Sequence, residues 1–269
     1  MHVYVNGRFV PAEEASISVF DHGFLYGDGV FEGIRVYDGT VFRLRQHVER
    51  LYQSALCLML AIPMTPADMC QAIVETVRRR GLPNQYVRVV VSRGPGDLGL
   101  DPRLCQMPSV IIIADTMTLY PARYYTEGLA LVTVATRRTP NWALDARVKS
   151  LNYLNNILAK IEAQQAGAVE AVMLNAEGYV AECTADNLFV RRHDRLLTPA
   201  VAAGALQGIT RDSVLEIAHD LGLEAAEGFL TRYDLYTADE CFMTGTGAEI
   251  VPVWSALTAA RSVMVCRGR

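Results

Sequence analysis

The sequence predicts a mixed α/β (α+β) protein of two domains, on three observations. Two Asx-Gly dipeptides, Asn6-Gly7 and Asp38-Gly39, sit between short apolar runs and mark β-hairpins. Thr65-Pro66-Ala67-Asp68 opens a long helix with a capping hydroxyl, a proline at the first position and an acid in the first turn. The second half alternates apolar strands with helical patterns and shows no fixed-period repeat.

Taken in order, Val3–Val5 and Arg8–Val10 flank the first turn, and Ile34–Tyr37 and Thr40–Leu44 the second. Leu44, Val48, Leu51, Ala55 and Leu58 follow helical spacing, and the helix opened at Thr65 runs to Arg80 and stops at Gly81. Gln85–Arg93 and Val110–Ala114 are strands rich in Val and Ile. Gly94-Pro95-Gly96-Asp97-Leu98-Gly99 between them matches G-x-G-x-x-G in form, but no helix follows it, so a dinucleotide-binding role is rejected. Strands at 130–135, 171–174, 187–190 and 240–243 and helices near 152–166 and 211–221 complete the chain. The expected division is a small domain at 1–118, a connection at 119–127 and a larger domain at 128–269.

Composition narrows the function classes. The 269 residues are 51% apolar and 20% charged, with net charge −4, which offers nothing to nucleic acid or an anionic membrane. The longest apolar run, Leu56–Met64, is too short to span a bilayer, and Met1-His2-Val3-Tyr4 does not open a signal peptide. Six scattered cysteines without C-x-x-C or histidine neighbours suggest neither a disulfide framework nor a metal site and fit a reducing cytosol, so a cytoplasmic enzyme is expected.

Of 25 basic residues only Lys149 and Lys160 are lysine. Arginine replaces lysine on a solvated surface but cannot form a Schiff base, so each lysine becomes a question. Lys149 stands between a strand end and a helix whose Leu154, Ile157, Leu158 and Ile161 are expected to face a core; Lys160 lies beside that stripe and reads as a solvated surface lysine. Gly208-Ile209-Thr210-Arg211 opens another apolar helical pattern (Val214, Leu215, Ile217, Ala218, Leu221) and suits either a phosphate or an ordinary threonine N-cap. Gly245-Thr246-Gly247 is an anion-binding turn or a plain strand end. Glu182 lies among small uncharged residues after the hairpin Asn175-Ala176-Glu177-Gly178, either as a functional acid or as an exposed hairpin glutamate.

Together these segments resemble one family. Tyr26-Gly27-Asp28-Gly29-Val30-Phe31-Glu32-Gly33-Ile34-Arg35, His47-Val48-Glu49-Arg50-Leu51, Lys149-Ser150-Leu151-Asn152-Tyr153-Leu154, Glu182 through Asn187-Leu188-Phe189, Gly208-Ile209-Thr210-Arg211 and Gly245-Thr246-Gly247-Ala248-Glu249-Ile250 are similar, in this order, to the class IV aminotransferases, the fold-type IV pyridoxal-phosphate enzymes. The resemblance implies a small N-terminal α+β domain and a larger mixed-sheet, pseudo-barrel domain. It implies that Lys149 carries pyridoxal 5′-phosphate as a Schiff base and moves the substrate proton, and that Glu182 keeps the pyridine nitrogen protonated. Arg50, Gly208, Ile209, Thr210, Gly245 and Thr246 would hold the phosphate, Tyr153 the phenolic oxygen, and Asn187 would complete the cofactor set.

Phe31-Glu32-Gly33-Ile34-Arg35 and Tyr86-Val87-Arg88 look most like the branched-chain amino acid aminotransferases. Tyr26, Phe31, Tyr86, Arg88, Thr246 and Gly247 would then bind the amino acid and 2-oxoglutarate, with Arg88 alternatively structural. Lys149 and Tyr153 stand one residue closer than in some branched-chain enzymes, a spacing found in relatives that act on D-amino acids. The leading reading is exchange between a branched-chain L-amino acid and 2-oxoglutarate in a homodimer or higher oligomer. Its rivals are a D-amino acid or R-amine transaminase, a 4-amino-4-deoxychorismate lyase and a cofactor-binding protein without turnover. After about Val253 the family pattern of a Gly-Pro turn and helix is missing, so the C-terminus is expected to be shortened or altered.

Overall fold

The first hairpin forms on the predicted turn: β1 (His2–Val5) and β2 (Arg8–Pro11) pair antiparallel, with Asn6 and Gly7 at φ 48° and 89°. Both residues need the left-handed region, where Asn and Gly are the least strained. The computed structural model describes residues 1–258 and 261–264. The chain divides into two units, Met1–Met117 with Val148–Asn152, and Thr118–Arg147 with Tyr153–Arg269. The lysine segment, expected in the second domain, thus clusters with the first.

In the first unit a short helix α1 (His22–Tyr26) precedes β3 (Gly29–Tyr37) and β4 (Thr40–Val41). Helices α2 (Leu44–Cys57) and α3 (Pro66–Arg80) follow, then β5 (Gln85–Ser92) and β6 (Ser109–Asp115). Helix α3 has the predicted bounds because Thr65 and Asp68 cap each other's backbone N–H groups and Gly81 ends the helix in the left-handed region. The six strands make an antiparallel sheet in the order β2-β1-β6-β5-β3-β4. Alternation sorts its faces: Val87, Val89 and Val91 join Val30, Ile34 and Val36 in a core with Val48, Leu51, Met69 and Ile73 of the helices. Tyr86, Arg88, Phe31 and Gly33 fall on the opposite face, with Gly33 paired to Arg88 and Arg35 to Tyr86.

The second unit opens with α4 (Arg123–Glu127), inside the expected connection, and continues through β7 (Leu129–Thr133), α5 (Leu154–Gln165), β8 (Glu170–Leu174) and β9 (Val180–Cys183). Next come β10 (Asn187–Arg192), β11 (Arg195–Pro199), α6 (Ile209–Asp220) and β12 (Glu224–Gly228). A short α7 (Arg232–Tyr236), β13 (Glu240–Gly245), β14 (Glu249–Thr258) and β15 (Arg261–Met264) complete it. The strands form one curled mixed sheet, β12-β11-β10-β13-β14-β7-β8-β9, with β15 on β14. Strand β14 runs on past Val253 and pairs in parallel with β7 and antiparallel with β15; residues 259–260 and 265–269, within the stretch expected to be altered, lie outside the described residues. Among the described residues no helix is long and apolar enough to cross a membrane.

One helix corrects the sequence reading. Helix α5 buries Asn156, Ala159 and Ala163, whereas Leu154, Ile157, Leu158 and Ile161 are 67%, 52%, 48% and 43% exposed. Only small side chains let α5 approach Val132, Ala171 and Met173 of the sheet closely. On α6, Ala218 is buried while Ile217 and Leu221 are exposed.

Candidate active site

In the first unit, the lysine is fixed through its backbone. Phe31 N–H donates to Lys149 O at 3.0 Å, Leu151 N–H to Gly29 O at 2.9 Å, and Lys149 N–H to Ser54 Oγ at 3.1 Å. The segment therefore lies along β3 as a short added strand, with Ser150 bridged to Val30. Its ammonium nitrogen stands 4.7 Å from the centre of the Phe31 ring. The Arg88 guanidinium carbon lies 4.5 Å from the same ring and 5.5 Å from that of Tyr86. Each separation is a cation–π contact, and together they order one aromatic, cationic face.

Gly33 makes that face possible. A Cβ built on it would overlap the Tyr86 hydroxyl, so the tyrosine can lie across β3 only over glycine. Tyr26 is held elsewhere in the unit: its hydroxyl accepts from Gly99 N–H at 3.1 Å, and His22 Nε2 meets Asp97 O at 2.9 Å. The rejected G-x-G-x-x-G segment is thus a loop that ties down α1.

Arg50, the predicted phosphate ligand, is buried against Glu32. Its Nε lies 2.7 Å from Oε1 and its Nη2 2.9 Å from Oε2. His47 Nδ1 reaches the same Oε2 at 2.7 Å. Burial raises the Glu32 carboxyl, but the Arg50 charge and the bonds from His47 and Arg50 outweigh it and hold the group at about 2. Burial pushes His47 below its ordinary value, against the opposing pull of Glu32.

In the second unit Glu182 lies buried on β9 and not on an exposed hairpin. Its Oε1 meets Arg138 Nη2 at 2.9 Å; its Oε2 accepts from Leu206 N–H at 2.9 Å and Asn187 Nδ2 at 3.2 Å. Asn187 Nδ2 also donates to Leu206 O at 2.8 Å. Gly208 packs so closely on Asn187 that a Cβ there would overlap the amide oxygen. Gly208 is the N-cap of α6 and no side chain caps the first turn, so Thr210 lies inside the helix and is not its cap. Fully buried Arg211 anchors that turn through Asp212 at 3.0 Å, Glu227 at 2.7 Å and Pro199 O at 3.3 Å. Tyr153 is the half-buried N-cap residue of α5, and Thr246 and Gly247 form the turn from Gly245 to Glu249.

Lys160 is not the plain surface lysine expected. Its Nζ lies 2.7 Å from Oε2 of buried Glu170 and 2.8 Å from Val169 O. Glu170 Oε1 accepts from the N–H groups of Ala171 (2.7 Å) and Thr184 (3.1 Å).

Residues 29–256 match the model of the amino-transferase class IV family. The chain belongs to the class IV aminotransferases. Among its relatives in that family, the branched-chain-amino-acid aminotransferase of Escherichia coli (strain K12) is 36% identical over 260 residues, which cover 94% of this chain and 84% of the relative. The branched-chain aminotransferase of Thermoproteus uzoniensis, solved with norvaline, superposes with a TM-score of 0.93 at 40% identity and covers 100% of this chain and 90% of that one. A second solved branched-chain amino acid aminotransferase, from the source abbreviated T.th. and complexed with N-(5′-phosphopyridoxyl)-L-glutamate, gives a TM-score of 0.90 at 41% identity, covering 98% and 87%.

Sequence reasoning missed Arg138 as the ion-pair partner of Glu182 in this class IV aminotransferase. The residue sits in an irregular segment, and nothing in its own neighbourhood points to Glu182. Its Nε donates to Gly204 O at 3.0 Å and its Nη1 to Asn156 Oδ1 at 2.9 Å, so each nitrogen of the guanidinium has its own acceptor. The partners of Arg50 were also missed: Glu32 and His47 stood in the quoted motifs without a role.

Proposed function

We propose that this chain exchanges an amino group between a branched-chain L-amino acid and 2-oxoglutarate, with pyridoxal 5′-phosphate as cofactor and Lys149 as its lysine. The observation that carries the substrate reading is the face formed by Phe31 of β3, the strand that holds Lys149, with Tyr86 and Arg88 of the neighbouring β5. Aromatic walls suit an aliphatic side chain, and the Arg88 guanidinium among them suits the extra carboxylate of 2-oxoglutarate. One relative is complexed with norvaline, an unbranched aliphatic amino acid, and another with a phosphopyridoxyl-glutamate adduct, which carries a γ-carboxylate; both support this reading.

The residues fit the cofactor. A buried carboxylate with three donors stays an acceptor for a protonated ring nitrogen, and an uncapped helix start suits a phosphate. Bound pyridoxal phosphate supplies an aldehyde for amine exchange and a ring that accepts the electrons left when the α-carbon loses its proton. Lys149 would hold that aldehyde through its amine, and its amine, when free, would carry the substrate α-proton. Glu182, with Asn187 beside it, keeps the ring nitrogen protonated. Arg50, Gly208, Ile209, Thr210, Gly245 and Thr246 hold the phosphate, and Tyr153 the phenolic oxygen. Phe31 and Tyr86 wall the side chain, and Arg88, Thr246 and Gly247 orient the carboxylates.

We also propose a cytoplasmic homodimer, or a higher oligomer, with these small molecules as its partners. The exposed Val19, Phe20, Phe24, Leu98 and Leu100 of the first unit support a covering subunit.

The test is steady-state amine exchange with 2-oxoglutarate. Turnover with L-leucine and none with D-alanine or R-1-phenylethylamine supports the proposal, and the reverse selectivity moves the chain to another branch. Pyruvate released from 4-amino-4-deoxychorismate without exchange identifies a lyase, and cofactor uptake with no turnover of any substrate a binding protein.

A further inference from the structure

Glu32 occupies a core position. Its neighbours on the same face of β3 are Val30, Ile34 and Val36, all in the apolar core under α2 and α3, and Glu32 itself is fully buried. An apolar residue there would pack without the desolvation that an ionised carboxylate suffers, and replacing buried ion pairs by hydrophobic groups is often neutral or stabilising. Stability therefore does not account for the acid.

Its contacts suggest what does. One edge of the Arg50 guanidinium, Nε and Nη2, lies side-on against the two carboxylate oxygens at 2.7 and 2.9 Å, a fork that fixes the plane of the guanidinium as well as its position. His47 stands one turn before Arg50 on α2 and braces Oε2 at 2.7 Å. With Glu32 ionised and His47 neutral, Nδ1 carries the hydrogen given to Glu32. The other ring nitrogen, Nε2, is buried with no hydrogen-bond partner among the described residues. An imidazole left with that orphan atom is better explained by its duty to Glu32 than by its own satisfaction.

We propose that Glu32 and His47 are positioning residues for Arg50: the carboxylate sets the plane of the guanidinium, the imidazole sets the carboxylate, and the arginine is thereby aimed at the cofactor phosphate. This rests on the reading of Arg50 as a phosphate ligand. It also opposes a simpler electrostatic role. If Glu32 only offset the charge of Arg50, its removal would strengthen phosphate binding; if it aims Arg50, removal weakens it.

The experiment titrates the full-length chain, stripped of cofactor, with pyridoxal phosphate and separately with pyridoxal, which lacks the phosphate. Glu32→Gln is expected to raise the Kd for pyridoxal phosphate roughly tenfold or more, the usual effect of removing a residue that orients a ligand-binding group. The Kd for pyridoxal stays near that of the parent. His47→Leu should act in the same direction, and His47→Asn, whose amide N–H can replace Nδ1–H, should restore affinity. An unchanged or lower Kd for pyridoxal phosphate in Glu32→Gln overturns the proposal, as does an equal loss of both ligands. Should Glu32→Gln fail to fold, the two His47 variants decide alone, and equal affinity in both overturns it. Arg50→Met separates the two levels. If it leaves the preference for the phosphorylated ligand intact, the phosphate role of Arg50 fails; if it removes the preference while Glu32→Gln does not, only the positioning role fails.

Discussion

Arg138 Nη2 lies 2.9 Å from Oε1 of Glu182, and the two side chains are almost entirely enclosed. The arginine is itself held by Gly204 O and Asn156 Oδ1, so it cannot follow the carboxylate if that group turns. Removing one member of such a pair leaves the other charged, buried and uncompensated. Arg138→Met should therefore destabilise the chain by about 3 kcal/mol or more, read as a shift in chemical denaturation. Glu182→Gln should keep the cofactor and lose most turnover, because an amide cannot hold the ring nitrogen protonated. Unchanged turnover would contradict the role given to Glu182.

Lys149 and Lys160 predict opposite spectra. Lys149→Ala should abolish the visible absorbance of the cofactor complex together with amine exchange. Lys160→Ala should keep both in the folded fraction, since its ammonium is engaged by Glu170. Absorbance surviving in Lys149→Ala and lost in Lys160→Ala would reverse the assignment.

The hairpins and α3 were legible because their signals are local: a turn dipeptide and a capping box fix backbone within a few residues. Helix α5 was legible as a helix but not in its orientation. Periodicity reveals an apolar stripe and says nothing of what covers it, and here Ala159 and Ala163 face the sheet. Arg138 left no signal, because its bond to Glu182 spans 44 positions and depends on tertiary folding. Lys149 and Glu182 became candidates only through several motifs in one order, since each alone had an ordinary structural explanation.

Glu170 needs Lys160 more than the surface needs a lysine. The carboxylate is 1% exposed and the lysine side chain 33%, so solvent replaces part of the lost charge but little of the contact. Lys160→Met should cost about 1–3 kcal/mol, below the full penalty for breaking an enclosed pair. Lys160→Arg should recover part of it. A denaturation midpoint unchanged in Lys160→Met would mean that Glu170 is satisfied by Ala171, Thr184 and Tyr120 alone.

Gly33 predicts a change in substrate handling with little change in folding. The atom that an added Cβ overlaps is the far end of Tyr86, which can swing aside without disturbing the strands. Gly33→Ala should leave thermal stability nearly unaltered and keep cofactor binding. Displacing Tyr86 from beside Arg88 should raise KM for 2-oxoglutarate several-fold, on the order of 1 kcal/mol. A parent-like KM would place the Tyr86–Arg88 pair outside the substrate contacts.

Glu32 should also leave a signature in acid. Its folded carboxyl is held at about 2 against an ordinary 4.5, because Arg50 and His47 favour the ionised form more than burial opposes it. A depressed carboxyl stabilises the fold fully above pH 4.5 and progressively less as pH falls towards 2. The contribution lost over that window is roughly 3 kcal/mol, from the free-energy equivalent of a pKa difference of this size. Glu32→Gln lacks the titrating group, so its unfolding free energy should fall less steeply between pH 5 and pH 2. The measurement is chemical denaturation of both proteins across that range. Parallel curves would show that Glu32 is not held ionised by Arg50 and His47 in the folded chain.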